Sequence, residues 1–256
     1  MNLAVPAAAR TPFLGVEFDR MTLETAIDWI GRSDETGRFR YVVTPNADHI
    51  ARLSGTADAP WASAYRAAVA TSDLCINDSR VLAQLARLSG IDLPAVPGSD
   101  LTRELITSGR IPLDATVVLV GGGASEAEWL ASALPGRRVE HMQPPMGLLD
   151  NPGEQARIAE FVESCPQSLV FLAIGSPQGE IVAGLIKQRG RASGTCLCIG
   201  ASVEFLSGTR RRAPAWMRRA SLEWLHRLLA EPRRMWRRYL VQSPKVFLVW
   251  WRSAKR

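Results

Sequence analysis

The chain has 256 residues, 46% of them hydrophobic, and a formal net charge of +6. This hydrophobic content supports a sizeable buried core and excludes an intrinsically disordered protein. No apolar run approaches the ~18 residues that a membrane-spanning helix requires, and the apolar segment 4–9 is too short for a secretory signal peptide. We therefore expect a cytoplasmic protein, and its length suits either one large α/β domain with an appendage or two small domains.

The first half of the chain predicts strands that alternate with helices. Residues 22–30 predict a helix, because Leu23, Ile27 and Ile30 share one apolar face. Short apolar runs predict strands at residues 13–18, 40–43 and 73–76. Further helices are predicted at residues 47–53, 61–70, 79–88 and 101–108. Either Asp78 or Ser79 can cap the helix that starts at residue 79.

The second half of the chain repeats this alternation. A strand is predicted at residues 116–120, followed by a turn at Gly121 to Gly123 and a helix at 125–134. Pro152 is a typical N-terminal signal for the helix over residues 151–164. Strands at 168–174 and 195–199 then enclose a helix at 181–188. The pattern predicts a Rossmann-like α/β fold, with a mostly parallel sheet and helices on both faces.

Charge divides the chain into two parts. Residues 1–209 carry 17 Lys and Arg against 23 Asp and Glu, whereas residues 210–256 carry 14 against two and contain five of the eight tryptophans. Three prolines divide this basic segment into short predicted helices: Pro214, Pro232 and Pro244. Its first helix carries an apolar stripe: Leu222, Leu225 and Leu229. We expect a catalytic α/β domain, residues 1–209, and a basic helical C-terminal appendage, residues 210–256.

The basic, aromatic composition of the appendage indicates an anionic partner. Basic residues interspersed with Trp and Leu are typical of segments that bind an anionic membrane surface. One alternative is a solvated basic face whose tryptophans belong to the core, and another is a nucleic-acid-binding segment. Because no nucleic-acid-binding motif accompanies the basic residues, we expect a membrane partner and no nucleic acid.

The cysteines and histidines lack the spacing of a metal site. Cys196 and Cys198 form a C-x-C pair in an apolar run, whereas zinc sites combine C-x2-C pairs with a second pair or with histidines. The three histidines, His49, His141 and His226, are scattered along the chain. We predict buried thiols, structural histidines and no metal or cofactor.

Polar or glycine-rich clusters follow several predicted strands. Ligands of open α/β sheets bind beyond the carboxyl ends of the strands, which is where these clusters fall. They occupy residues 44–46, 77–78, 121–123, 175–180 and 200–204. Each cluster alone also fits a helix cap or a turn. Several together, one of them with an acid, favour a binding site.

Asp78 is the candidate general base, because a carboxylate at a strand end can accept a proton from a hydroxyl. Its alternative role is to cap the next helix. The turn at Gly121 to Gly123 brings backbone amides to a position where they can bind a phosphate. It does not match G-x-G-x-x-G, however, and a plain tight turn is an equal alternative.

Seven motifs occur in an order that resembles the WecG/TagA/CpsF family of bacterial glycosyltransferases. They are TPN (44–46), ND (77–78), GSDL (98–101), VGG (120–122), PPMG (144–147), GSPQGE (175–180) and RAPAWMRRASLEWLHRLLAEPRRMWRRYL (212–240). The last motif is long and distinctive, whereas the short ones are weak singly. The match extends from about residue 13 to about residue 250.

The resemblance implies a GT-E type fold with a membrane-associating appendage. It implies an inverting transfer, without an obligatory metal, from a UDP-sugar to a polyprenyl-diphosphate-linked sugar. The transferred sugar is of the hexose or N-acetylhexosamine type, for exopolysaccharide, capsule or cell-surface glycan synthesis. The protein is then expected at the inner face of the cell membrane as a peripheral protein.

The resemblance also implies roles for individual residues. Asp78 matches the proposed base of the family, and Thr44 and Asn46 match polar residues of its catalytic pocket. Donor or nucleotide binding is expected of Gly121, Gly122, Ser176, Gln178, Glu180 and Glu204. Binding of the diphosphate and of the membrane is expected of Arg212, Arg219, Arg227 and Arg238.

Two positions depart from the family pattern. Gly179 stands where many members carry a glutamine near the donor, and Ala95 or Val96 replaces an arginine that many members carry before the GSDL motif. Both changes leave the donor sugar undetermined. The alternatives are another hexose, as in an exopolysaccharide branch of the family, and N-acetylmannosamine.

Two other functions remain as alternatives. A nicotinamide-dependent oxidoreductase fits a Rossmann-like sheet, but the glycine fingerprint and the acidic residue about 20 positions beyond it are missing. A non-catalytic scaffold of a polysaccharide assembly complex also fits. The sequence leaves the oligomeric state open, including a homo-oligomer.

Overall fold

The computed structural model describes residues 10–32, 37–55, 59–211, 213–214, 216–217 and 222–253. Two short strands, β1 (Thr11–Phe13) and β2 (Val16–Phe18), form an antiparallel hairpin. The sequence predicts one strand there, which is wrong, because Leu14 and Gly15 both adopt positive φ and reverse the chain. The residue after the hairpin, Asp19, accepts a hydrogen bond from the Cys75 amide at 2.7 Å and so attaches the hairpin to the main sheet.

The main sheet has six strands, all parallel, and confirms the predicted fold class. In chain order the strands are β3 (Phe39–Val43), β4 (Leu74–Cys75), β5 (Thr116–Gly121), β6 (Arg138–Met142), β7 (Ser168–Ala173) and β8 (Gly194–Cys198). Their spatial order is β4-β3-β8-β7-β5-β6. The last two strands, β7 and β8, therefore lie in the middle of the sheet, between β3 and β5, which precede them in the chain.

The edge strand β6 is absent from the predicted elements. Its sequence, RVEHM, is polar at three of five positions, and its residues are half-buried or exposed. An edge strand has a neighbour on one side only, so it does not need the continuous apolar run that marks a buried parallel strand. A pattern of continuous apolar residues therefore does not predict β6.

Helices cover both faces of the sheet. The helices are α1 (Leu23–Gly31), α2 (Ala47–Gly55), α3 (Ala62–Ala70), α4 (Arg80–Leu88), α5 (Gly98–Thr107), α6 (Ala124–Ala133), α7 (Pro152–Glu163), α8 (Gln178–Arg189) and α9 (Ser202–Leu206). Helices α1, α5, α6 and α9 belong to the apolar core on one face, and α2, α3, α4, α7 and α8 to the core on the other. Alternate residues of β5 enter opposite cores: Val117 and Leu119 in one, Val118 and Val120 in the other.

The predicted buried thiols are confirmed, since all four cysteines are buried and free. Two of them, Cys196 and Cys198, lie on the same face of β8. Burial raises the pKa of Cys75 far above its usual range, which is the behaviour of a structural thiol.

The appendage folds back onto the α/β body. It contains α10 (Glu223–Ala230), α11 (Pro232–Trp236), a π-helical segment (Arg237–Gln242) and α12 (Lys245–Ser253). Val246 is 1% exposed and belongs to the core that contains α2 and α4, while the Trp250 indole N–H donates to the Ser89 hydroxyl at 2.8 Å. The predicted apolar stripe of α10 is divided, because Leu229 is 72% exposed.

None of the helices in the described ranges combines the length and the apolarity needed to cross a bilayer.

Candidate functional site

A cleft of about 640 Å³ lies between the carboxyl edge of the sheet and the appendage. Its polar side is formed where β3, β7 and β8 end and where helices α2, α5 and α8 begin. Three of the five predicted polar clusters, at residues 44–46, 175–180 and 200–204, each contribute residues here, as does Asp78 of a fourth. The sheet order brings these segments together, since β3, β8 and β7 are neighbours.

Asp78 lines this cleft and links two helix N-termini. Its Oδ1 accepts a hydrogen bond from the Gly98 amide at 2.7 Å, at the start of α5, and its Oδ2 lies 3.5 Å from the Asn46 amide nitrogen. Of the two capping residues that the sequence offers for α4, the chain uses Ser79, whose hydroxyl accepts from the Leu82 amide. Asp78 is thus held at the cleft wall by α5 rather than used as the cap of α4.

Asn46 has its side chain oriented by the helix that it caps. Its Oδ1 accepts hydrogen bonds from the amides of Asp48 at 3.0 Å and His49 at 3.3 Å, at the start of α2. The carboxamide oxygen is therefore occupied, and the NH2 group points toward Asp78. Asn46 can therefore be both a helix cap and a site residue, because the hydrogen bonds that cap α2 also direct its NH2 group toward the Asp78 carboxylate.

Thr44 lies against the start of α5. Its hydroxyl is within 3.5 Å of the Cys198 carbonyl, and a Cβ on Gly98 would lie only 3.0 Å from the Thr44 hydroxyl oxygen. Glycine at position 98 therefore lets α5 approach both Thr44 and Asp78 closely.

Glu180 belongs to a buried polar cluster on the β7 side of the cleft. It is 5% exposed, and burial raises the pKa of its carboxyl to about 7. Ser176 is hydrogen-bonded to this carboxyl, and its hydroxyl also lies 3.2 Å from the Tyr65 phenol. Arg52 donates to the Ser176 carbonyl at 3.1 Å and pairs with Asp48 at 3.0 Å. Ser176 and Glu180 line the cleft.

Four other predicted donor-binding residues are not part of the cleft lining: Gly121, Gly122, Gln178 and Glu204. Gly121 packs so closely on β7 that a Cβ would lie 2.7 Å from the Ala173 carbonyl oxygen. The amide of Gly123, in the same turn, donates to the Glu126 carboxylate at 2.7 Å. The Glu126 carboxylate thus already accepts a hydrogen bond from one of the amides that a phosphate would need. Nucleotide binding by this turn stays a prediction.

Arg210 is a cleft residue that was not among the predicted site residues. It pairs with Glu204 at 3.1 Å and with Glu231 at 2.6 Å, so it connects the body to the appendage. These carboxylates fix its guanidinium beside the cleft. The available sequence signal was its place at the start of the 210–212 arginine run, which does not distinguish it from its two neighbours.

Of the four predicted arginines, Arg227 lines the cleft, with its guanidinium 4.8 Å from the centre of the Phe205 ring. Arg212 and Arg219 lie outside the described residues. Arg238 lies in the π-helical segment, and its side chain is likewise outside the described part of the chain.

Both departures from the family pattern have a visible place in the structure. Gly179 lines the cleft, and a Cβ there would make only ordinary contacts, 3.8 Å from Ile174 and 4.0 Å from Cys198. The glycine therefore leaves room that a longer side chain would fill. Val96 is 2% exposed, and its amide donates to the Asn77 carbonyl at 2.8 Å.

The cleft contains both carboxyl groups and cations. The body contributes the carboxyl groups of Asp78 and Asp100 and the Arg80 guanidinium, while the appendage contributes Arg210 and Arg227. Such a site can accept a proton from a hydroxyl and neutralise an anionic group.

The chain matches one family model, described as the glycosyl transferase WecG/TagA/CpsF family, over residues 11–256. Two curated relatives are named N-acetylglucosaminyldiphosphoundecaprenol N-acetyl-beta-D-mannosaminyltransferase. The protein from Bacillus spizizenii is 32% identical over 87 residues, 34% of this chain and 33% of the relative. The protein from Bacillus subtilis is 32% identical over 95 residues, 37% of this chain and 36% of the relative. The aligned part thus spans about a third of each relative's length.

Proposed function

Because the chain belongs to the WecG/TagA/CpsF family of glycosyltransferases, we propose that it transfers a sugar from a UDP-sugar to an acceptor carried on a polyprenyl diphosphate. The observation that carries this proposal is the position of Asp78, which is held at the cleft wall by the Gly98 amide and lines the same cleft as Arg210 and Arg227. The names of the two relatives support an acceptor with N-acetylglucosamine as its terminal sugar.

The reaction needs one base and one source of positive charge. An acceptor hydroxyl attacks the anomeric carbon on the face opposite UDP, and Asp78 takes the hydroxyl proton. The new glycosidic bond forms as the bond from the anomeric carbon to the UDP oxygen breaks, which inverts the configuration. Arg210 and Arg227 neutralise charge on a diphosphate, because guanidinium groups match phosphate oxygens in geometry. Asn46 orients the base.

The donor sugar is of the hexose or N-acetylhexosamine type. The space beside Gly179 supports a donor contact that differs from the one a glutamine would make. The product then belongs to exopolysaccharide, capsule or cell-surface glycan synthesis.

Loss of the base should abolish the reaction. We expect Asp78→Asn to lower UDP release by a factor of about 10² to 10⁴, because general base catalysis contributes about that much. The assay uses a synthetic N-acetylglucosaminyl-diphosphate-lipid acceptor and a panel of UDP-sugars. The matched control is Asp92→Asn, at an exposed residue that pairs with Arg20 outside the cleft.

Three outcomes separate the possibilities. Release with one donor that is lost in Asp78→Asn supports the reaction and identifies the sugar. Full activity of Asp78→Asn would show that another group is the base. No release by the wild-type protein with any UDP-sugar would contradict the proposal and leave the scaffold function as the alternative.

The appendage is the proposed contact with the membrane. Its exposed apolar side chains include an outer face that we define as Trp236, Val241, Leu248 and Trp251. The basic residues around this face would each add about 1 kcal/mol of attraction to an anionic lipid surface. We expect the protein to sediment with vesicles that contain phosphatidylglycerol and to be released by high salt. Equal retention on DNA at physiological salt would instead favour the nucleic-acid alternative.

A further inference from the structure

One side of the cleft is apolar. We call this surface the apolar wall and define it as Phe205, Trp224, Met235, Leu240 and Phe247, all of which line the cleft. They come from α9, α10, α11, the π-helical segment and α12. All but Phe205 belong to the appendage, whereas the carboxyl groups of the cleft belong to the body.

The apolar wall extends to the outside of the molecule. Leu240 is 58% exposed and Phe247 is 50% exposed, although both also line the cleft. Their chain neighbours Val241 and Leu248 are exposed residues of the outer face. The apolar wall is therefore open to the exterior at Leu240 and Phe247, which contribute both to the cleft lining and to the molecular surface.

Cations adjoin the wall. Arg227 stacks on Phe205 at 4.8 Å, and Arg210 is held beside the cleft by Glu204 and Glu231. A surface of this kind fits a ligand in which an anionic group is joined directly to a hydrocarbon chain. The base of a nucleotide-sugar can stack on the aromatic members of the wall. A nucleotide-sugar has no hydrocarbon chain, however, so the aliphatic side chains of Met235 and Leu240 suit the acceptor lipid better than the donor.

We propose that the apolar wall is a binding subsite for the first isoprene units of the acceptor lipid, next to its diphosphate. This inference rests on the proposed transfer to a polyprenyl-diphosphate-linked sugar. The lipid is then recognised inside the cleft, by contacts separate from the attachment of the outer face to a bilayer. Such a subsite selects an isoprenoid diphosphate over the same sugar diphosphate without a lipid.

The test compares two water-soluble acceptors with the full chain and without membranes. Both carry N-acetylglucosaminyl diphosphate, one as its methyl ester and the other as its geranyl ester at a concentration below micelle formation. Burial of two isoprene units should lower the KM of the geranyl acceptor at least tenfold relative to the methyl acceptor. Leu240→Asn and Phe247→Asn should each reduce this KM ratio to less than threefold.

The control variant is Leu229→Asn. Leu229 is an exposed leucine of the same appendage that lies neither in the apolar wall nor in the outer face, so its substitution should preserve the ratio. Leu240→Met keeps an apolar side chain of similar volume and should also preserve it. Loss of the ratio in both Leu240→Asn and Leu240→Met would indicate a general disturbance of the appendage and overturn the assignment.

The remaining outcomes are distinct from failure of the proposed function. If the wild-type protein uses both acceptors with equal KM, the transfer stands and the subsite is refuted. If it uses neither acceptor, the proposed function fails and this inference fails with it. Dihexanoyl phosphatidylglycerol tests the other source of a phosphate joined to hydrocarbon. Its competition against the geranyl acceptor at concentrations below that acceptor's KM would assign the wall to a phospholipid and overturn the proposal.

Discussion

The α/β body and the appendage line the same cleft but are stabilised in different ways. The body has an apolar core on each face of its sheet, and its helices bury whole stripes of residues there. The appendage leaves several large apolar side chains exposed and is attached through contacts such as those of Arg210, Val246 and Trp250. The body therefore holds its carboxyl groups in a deeply packed frame, whereas the cations and the apolar wall depend on how well the appendage is docked.

This difference assigns separate tasks to the two regions. The body holds Asp78 beside the start of α5, and it buries Glu180, which raises the pKa of the Glu180 carboxyl. In the proposed reaction, charge neutralisation and lipid contact are the tasks of the appendage. Substitutions in the body should therefore change stability and its pH dependence, and substitutions in the appendage should change substrate binding more than unfolding.

The largest of these effects is expected at Glu180 in the body. The pKa of its carboxyl rises from 4.5 to about 7 on burial. Between these values the folded protein keeps a proton that the unfolded chain releases, so this group makes the free energy of unfolding fall as pH rises, by about 3 kcal/mol in total. Glu180→Gln removes this dependence. Relative to wild type, the variant should gain about 3 kcal/mol between pH 4.5 and pH 7.5.

Urea unfolding at pH 4.5, 6 and 7.5 measures this difference. Glu17→Gln, at an exposed residue of β2, is the control for loss of one carboxylate. A parallel pH profile for wild type and Glu180→Gln would show that Glu180 is ionised in the folded protein at neutral pH.

A smaller effect, now on activity, is expected at Arg227 in the appendage. Loss of a hydrogen bond to a charged group typically costs about 1.5–3 kcal/mol, and a cation that faces a phosphate is expected in the upper part of this range. We expect Arg227→Ala to lower kcat/KM about 30- to 100-fold, and Arg227→Lys to recover part of this loss, because lysine keeps the charge but not the planar fork. Unfolding should change little.

Steady-state kinetics with a water-soluble acceptor provide the measurement for Arg227. The matched control is Arg233→Ala, at an exposed arginine of α11 that does not line the cleft. Equal losses in Arg227→Ala and Arg233→Ala would mean that overall positive charge matters, rather than the position of Arg227 beside Phe205.

The smallest effect is expected for the docking contact of α12. Trp250→Phe removes the hydrogen bond to Ser89 but keeps an aromatic ring, which should cost about 1 kcal/mol. Because the contact joins the appendage to the body, the equilibrium constant for local opening of α12 should rise about fivefold, while the free energy of global unfolding stays nearly constant. Hydrogen exchange of the α12 amides reports this opening. Trp251→Phe, at a 54% exposed neighbour, should leave exchange unchanged, and similar exchange in both variants would refute a docking role for Trp250.

Much of the site was visible in the sequence, because its signals are local. The polar clusters after strands, the acid at Asp78 and the presence of a capping residue at position 78 or 79 follow from patterns within a few residues. The charge difference between residues 1–209 and 210–256 likewise marks the two regions that form the cleft.

The order and type of most elements follow from the amino-acid sequence, because hydrophobic periodicity and helix caps act over short distances. The tertiary structure alone determined which strand ends meet, since the order β4-β3-β8-β7-β5-β6 depends on pairings between distant segments. The tertiary structure also brings the Gly98 amide to the carboxylate of Asp78, 20 residues earlier, and leaves Gly121 outside the cleft lining. The burial of Glu180 and the position of Arg210 beside the cleft also arise only when helices and appendage pack together, because burial and ion pairing depend on neighbours that are remote in sequence.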